Sequence, residues 1–236
     1  MILHQLLQAM SELSAMQRFA INILPVIFAI TVHEAAHGYV AKYFGDMTAY
    51  QMGRISLNPI RHIDPVGTLL IPAIALFFGG IMFGWAKPVP VDFGRLRQPK
   101  RDMLWVAAAG PGMNLVLAIV AALLIHAVGY LPSGIGQWVL WNLVNAININ
   151  VILAVFNMIP VPPLDGGRVA IGLLPGPLAR PLGRLAPYGM LIVIGFLFLL
   201  PMVAAQVGVD VNVFGQLINR PSNAIVETIL RLTGNG

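Results

Sequence analysis

The residues of this chain best suited to chemistry are His33, Glu34 and His37, in the stretch ITVHEAAHGY. On a helix, the spacing of i and i+4 puts both imidazoles on one face, where together they can hold one ion. Two neutral imidazoles, one carboxylate and an open fourth position are the donor set of a catalytic zinc. Glu34, next to them in sequence, would take a proton from water at the ion and pass it to a leaving amine. The setting strengthens this reading. From Phe19 to Ala41, Glu34 is the only formally charged residue, and an ionisable group at mid-bilayer costs about 2.5–3.5 kcal/mol even on a lenient insertion scale. A divalent cation would turn the histidines into ligands and give the glutamate a counter-charge. One zinc ion per chain is the expectation.

Two histidines leave one protein ligand to be found among nine acidic residues: Glu12, Glu34, Asp46, Asp64, Asp92, Asp102, Asp165, Asp210 and Glu227. Most fall in polar loops or near the termini. Asp165 directly follows a long uncharged stretch, in NMIPVPPLDGGR, where Pro160, Pro162 and Pro163 end a helix and Gly166–Gly167 permit a tight turn. It can be the third ligand or a helix-capping aspartate, and residue types alone leave both open. His62, in NPIRHIDP, reads as a solvated loop histidine, with a substrate contact or a second metal ligand as the alternative. His4 reads as interfacial and His126 as helix packing. Asn142, Asn145 and Asn148 recur every three residues and read as interhelical hydrogen-bonding groups rather than a water path.

The elements that must position these residues are membrane helices. The chain has 236 residues, 58% hydrophobic and 10% charged, with a mean hydropathy of +0.81. Soluble domains carry about a quarter charged residues, and about 20 apolar residues cross a bilayer. Val66 to Phe83, Met103 to Leu164 and Leu185 to Val209 contain no charge at all. The fold expected is an all-α polytopic membrane protein, a single domain over 1–236. Its transmembrane bundle has spans at 18–43, 103–128, 137–160 and 186–205. An interfacial amphipathic helix is expected at 1–17, an interfacial helix broken by prolines at 167–184, and an amphipathic tail at 210–236. Met1–Gln17 lacks Lys and Arg, so the N-terminal run is read as retained rather than cleaved. The net charge of +5 lies in loops between apolar runs, as membrane proteins require, which argues against nucleic acid. With no cysteine there is neither a disulfide nor a thiolate metal site.

HEAAH, then GPGMN (Gly110–Asn114), then NMIPVPPLDGG (Asn157–Gly167) resemble, in that order, the site-2 protease family of intramembrane zinc metalloproteases. GRISLNPIRHIDPVGT and GWAKPVPV further resemble a compact bacterial branch lacking a PDZ domain. The resemblance implies that His33, His37 and Asp165 are zinc ligands and Glu34 the general base. It implies that Asn157 and Asn114 line the site, against substrate backbone or the oxyanion. It also implies a zinc-dependent endopeptidase that cuts membrane-protein substrates within or near their transmembrane segments, in the cell membrane of a bacterium.

Topology follows from parity. The two motifs sit toward the C-terminal ends of their helices, so those ends should face one side. Four full crossings over 19–41, 66–83, 103–128 and 137–160 would set them on opposite sides. A re-entrant hairpin at 66–83, with Pro72 and Gly79–Gly80 as bends, restores agreement. It also gives one side 11 of the 14 Lys and Arg residues, leaving Arg18, Arg220 and Arg231 on the other; the active site is then nearer the cytoplasm. GRISL and WAKPVPV are expected as short membrane-associated β-strands whose edge pairs with an unwound substrate, although Pro88 and Pro90 cannot donate. The alternative functions are a divalent-metal transporter or channel, which would show a chain of polar sites, and a scaffold with structural zinc, which would show four protein ligands. The sequence names no substrate, adaptor or oligomeric state.

Overall fold

The computed structural model describes residues 15–70, 86–209 and 212–236. The helix expected at 1–17, except for its last three residues, and most of the re-entrant segment at 66–83 lie outside these residues. The first long helix, α1, runs Ala15–Tyr43 and passes through Pro25 without stopping. After the single turn α2 (Thr48–Gln51) come α3 (Pro99–Leu124), continued as a 3-10 helix to Tyr130, and α4 (Ser133–Asn157). Two short helices follow, α5 (Asp165–Leu173) and α6 (Gly176–Arg184), broken at Pro175. α7 (Gly189–Ile194) and α8 (Leu200–Gln206) continue one another through a π-helical turn, and α9 (Arg220–Leu232) ends the fold. Among the described residues, four helical stretches are long and apolar enough to cross a membrane: 21–43, 99–130, 133–157 and 176–206. They overlap the four expected spans, the first three within a few residues, while the last begins ten residues before the expected 186.

The core is a three-helix unit of α1, α3 and α4, and its contacts fix the helix directions. Along α1, Ile21 packs on Val144 and its carbonyl accepts from Asn145, while His33 and His37 meet Asp165, beyond the end of α4. Residue numbers rise together, so α1 and α4 are parallel. Against α3 the order reverses: Ala29 O and His33 meet Asn114, and His37 meets Val106. Residues buried along these helices are mostly small (Ala29, Ala35, Ala36, Ala107, Gly110, Ala118, Ala122 and Ala154), which lets backbones approach where lipid offers no hydrophobic drive. Large side chains such as Leu24, Phe28, Trp105, Leu123 and Leu191 stay exposed on the outside. α9 lays Val226, Ile229 and Leu230 onto Ala118, Ala121, Ala122, Ile147 and Val151, using one face as the amphipathic tail requires.

Arg97 N–H donates to Phe44 O at 3.0 Å and Lys87 N–H donates to His62 O at 2.9 Å, so the described parts of 44–97 lie together beside the end of α1. The expected strands are a correction. Among the described residues there is no β-strand; Arg54–Leu57 and Lys87–Val91 are irregular and not laddered. The physical reason lies in their partners. Lys87 N–H goes to His62 O, Lys87 O and Pro88 O accept from Arg54, and the Val89 N–H goes to a side chain of α1. Side chains have taken the groups a ladder would need.

Candidate metal centre

His33 and His37 project from one face of α1, as their spacing dictates, with ring centroids 4.7 Å apart and planes nearly perpendicular. Their Nε2 atoms stand 3.1 Å apart, and Asp165 Oδ2 lies 3.2 Å from one and 3.3 Å from the other. All three residues are buried. The three atoms form a nearly equilateral triangle. Ligands about 2.0–2.1 Å from a tetrahedral ion stand roughly 3.3–3.4 Å apart, so one ion fits against this triangle.

The outer nitrogens explain why the inner ones are available. His37 Nδ1 lies 2.7 Å from Val106 O, and His33 Nδ1 lies 2.6 Å from Asn114 Oδ1. A carbonyl oxygen can only accept, so Val106 O fixes the proton of His37 on Nδ1. The amide of Asn114 is fixed in turn: its Nδ2 donates to Ala29 O and to Asn150 Oδ1, and Asn150 Nδ2 donates to Ala146 O. These main-chain anchors leave Asn114 Oδ1 to accept from His33. Both Nε2 atoms then carry lone pairs directed at the same point, beside a carboxylate oxygen. Three electron-rich atoms in contact repel unless a cation lies among them, and hydrogen-bonded outer nitrogens are how ligating histidines are oriented.

Two further features shape the pocket. At Gly110 of α3, a Cβ would fall against His37 Nε2 and within 2.6 Å of His33 Nε2. The GPGMN glycine thus leaves open the space an ion would need. At the DGG turn, a Cβ on Gly166 would fall against the Met158 backbone and one on Gly167 against that of Pro162. Neither glycine has a positive φ. They are glycines for closeness rather than for conformation, and that closeness seats Asp165 in the first turn of α5, under the histidines. Arg168, one turn on, lies 3.7 Å from Asp165 Oδ1 and stacks over Phe93.

Glu34 is half-buried, and its Oε2 accepts the Val89 N–H at 2.7 Å. Asn157 turns its Nδ2 back onto Leu153 O of its own helix at 3.0 Å, rather than toward the triangle. Asn114 stands behind His33, with both amide hydrogens engaged, rather than facing open space. His62 is not a solvated loop histidine: it is 3% exposed, with Nε2 2.8 Å from Ser56 O and Nδ1 without a hydrogen bond. Of the three asparagines read as interhelical, Asn145 bonds across to Ile21 O, while Asn142 and Asn148 bond back to Trp138 O and Val144 O of α4. His126 holds Thr233 O at 2.6 Å, tying the end of α3 to the tail. Gly110, Val106 and Asn150 were missed in the sequence. A backbone carbonyl has no sequence signature, and the GPGMN motif was the one signal pointing at the first.

A helical membrane protein with a buried His-His-Asp group able to hold a metal ion is the class these features define. Residues 133–202 match the family model described as Peptidase family M50. Among curated proteins, the chain is 38% identical to "Putative zinc metalloprotease YwhC" of Bacillus subtilis over 189 residues, 76% of this chain and 80% of that protein. It is 30% identical to the similarly named Rip2 of Mycolicibacterium smegmatis over 178 residues, 75% of this chain and 66% of that protein. It is 28% identical to MJ0611 of Methanocaldococcus jannaschii, named in the same way, over 154 residues, 64% and 69% of the two chains. No solved structure matches. The chain belongs to peptidase family M50, the site-2 protease family.

Proposed function

We propose that this protein is a zinc-dependent intramembrane endopeptidase of the cell membrane, in which His33, His37 and Asp165 hold one zinc ion and Glu34 is the general base. The observation that carries the reading is the triangle of His33 Nε2, His37 Nε2 and Asp165 Oδ2, with sides of 3.1–3.3 Å, on the helix that also carries Glu34. A bound zinc ion would supply Lewis acidity to the scissile carbonyl and acidify the attacking water. The rest falls to the chain. Asn114 and Val106 keep the imidazole lone pairs turned inward. Glu34 takes the proton of the attacking water and returns it to the leaving amine, work that contributes roughly 10²–10⁴-fold in rate. The apolar bundle limits water to the site, so an unwound stretch of a transmembrane substrate is the substrate class that fits.

The site lies two to three turns before the end of α1, about 9–15 Å along its axis. The topology read from the sequence assigns 11 of the 14 basic residues to that side, and the positive-inside rule then supports a cytoplasmic position for it. A metal-transport path finds less support: among the described residues, the amide nitrogens of Asn114, Asn145, Asn148, Asn150 and Asn157 all bond to main-chain carbonyls rather than forming a ladder of free ligands. Glu34→Gln tests the proposal. The purified variant should keep one zinc per chain and lose cleavage of membrane substrates, which then accumulate uncut in a membrane proteome. Retained proteolysis would remove Glu34 from its role, and zinc flux through liposomes would favour transport.

A further inference from the structure

The segment Lys87–Val91 passes over the face of α1 that carries Glu34. Pro88 and Pro90 have no N–H, so within 88–90 the chain has one donor, at Val89. That donor points at Glu34 Oε2, 2.7 Å away. Its placement is built from two sides. Arg54 Nη2 donates to Lys87 O at 3.0 Å and to Pro88 O at 3.3 Å, pinning the two carbonyls just before Val89. On the helix side, Gly38 lies one turn beyond Glu34, and a Cβ there would come within 2.9 Å of Ile55 Cγ1 and 3.2 Å of Val89 Cγ1. The missing side chain at 38 lets the segment lie close enough for its amide to reach the carboxylate.

We propose that Val89, through its main-chain N–H, and Arg54, through its grip on Lys87 and Pro88, are positioning residues for the catalytic glutamate. The proposal rests on the reading of Glu34 as general base. A glutamate has three rotatable side-chain bonds, and a base is useful only within hydrogen-bond reach of the proton it takes. One fixed donor on Oε2 selects a single carboxylate orientation and leaves Oε1 for the reacting water. The flanking prolines serve this in two ways: they restrict the segment to extended backbone, and they remove the neighbouring donors that would offer Glu34 a second register. The same geometry takes four of this segment's main-chain groups out of any pairing with substrate. Its donors at Lys87 and Val89 and its acceptors at Lys87 and Pro88 are already engaged within the protein.

The test deletes one hydrogen. Replacing Val89 by its α-hydroxy acid analogue through nonsense suppression turns the amide into an ester, keeping side chain and chain path while removing the N–H. In the zinc-loaded protein, kcat on a membrane substrate should fall about 10–100-fold, the range for partners that orient catalytic groups. KM should stay within twofold and zinc at one per chain. Arg54→Ala should give a smaller fall with the same signature, and the ester combined with Arg54→Ala should be no worse than the ester alone. Independently of activity, the Val89 amide should be protected from hydrogen exchange in the unaltered protein and lose protection in Glu34→Ala. An unchanged kcat in the ester protein, or a loss of kcat that tracks loss of zinc, overturns the proposal. The parallel Glu34→Gln protein separates the two ideas: inactive Glu34→Gln with a fully active ester sinks only the positioning role, and active Glu34→Gln sinks the base itself.

Discussion

The two halves of the site are held in different ways. The histidines are fixed from within the bundle: every outer nitrogen meets a group on α3, and the asparagine behind His33 is itself tied to α1 and α4. The glutamate, one residue away on the same helix, is held from outside by a non-helical segment clamped by an arginine. The ion-binding half thus draws on interhelical packing, while the proton-transfer half depends on a non-helical segment beside α1. Damage to the first should remove metal. Damage to the second should leave metal in place and slow turnover.

The strongest way to break the histidine half is to fill it. Gly110→Ala puts a methyl group against both Nε2 atoms. The purified protein should contain almost no zinc, and cleavage should fall below detection. Alanine favours a helix over glycine by about 1 kcal/mol, so the loss would not come from unfolding of α3; circular dichroism should show helix content intact. Asn114→Ala is the next largest. It leaves His33 Nδ1, Asn150 Oδ1 and Ala29 O without their partner, and zinc affinity should weaken about 10–100-fold, measured by competition with a chelator. If zinc affinity in Asn114→Ala were unchanged, the claim that the bundle orients the ligands would fail.

On the other half, Gly38→Ala sharpens the contrast. The added methyl group forces Ile55 and Val89 outward by a few tenths of an ångström or more. The expectation is one zinc per chain and a kcat reduced about tenfold, equivalent to about 1.4 kcal/mol of barrier. A variant that lost zinc instead would show that the two halves are one unit.

Much of this was legible before the structure. His33 and His37 lie on one helix at fixed spacing, so their joint geometry follows from the helix period alone, and the spans follow from apolar length. Asp165 was legible as a candidate because it breaks a long uncharged run. What the sequence did not give away is what the main chain does. Val106 O, the Val89 N–H and the space over Gly110 and Gly38 are properties of backbone or of missing atoms, and any residue type can supply a carbonyl. The alternating valines of WAKPVPV were read as a strand because extended backbone has period two. The segment forms no ladder, and its hydrogen bonds run to an arginine, a glutamate and a loop carbonyl. His62 was misjudged for a related reason: polar neighbours in sequence are not solvent, and the loop folds over it.

The smallest effect concerns the join between α1 and the segment that holds Glu34. Asp46 is fully buried just past the end of α1; its Oδ1 accepts from Thr48 N–H and Thr48 Oγ1, and its Oδ2 accepts from Asp92 N–H at 2.7 Å. Burial pushes its carboxyl up, but the bonds from Thr48 and Asp92, with Arg95 nearby, outweigh burial and hold it below the ordinary range. A carboxyl depressed in the folded state stabilises the fold in full above its unfolded value near 3.8, and that contribution fades as pH falls from there through the folded value. Asp46→Asn keeps the shape but loses the charge and replaces one accepting oxygen by an NH2 that faces a donor, and should cost about 1–3 kcal/mol at pH 7. The thermal midpoint of the detergent-solubilised variant should therefore lie below that of the unaltered protein at neutral pH, and the gap should narrow as the medium is taken below pH 4. At neutral pH the zinc content of the two proteins should be equal, since Asp46 anchors the loop rather than the histidines. A gap in thermal midpoint that stayed constant down to pH 3 would mean that packing, not the carboxylate charge, ties the loop to the end of α1.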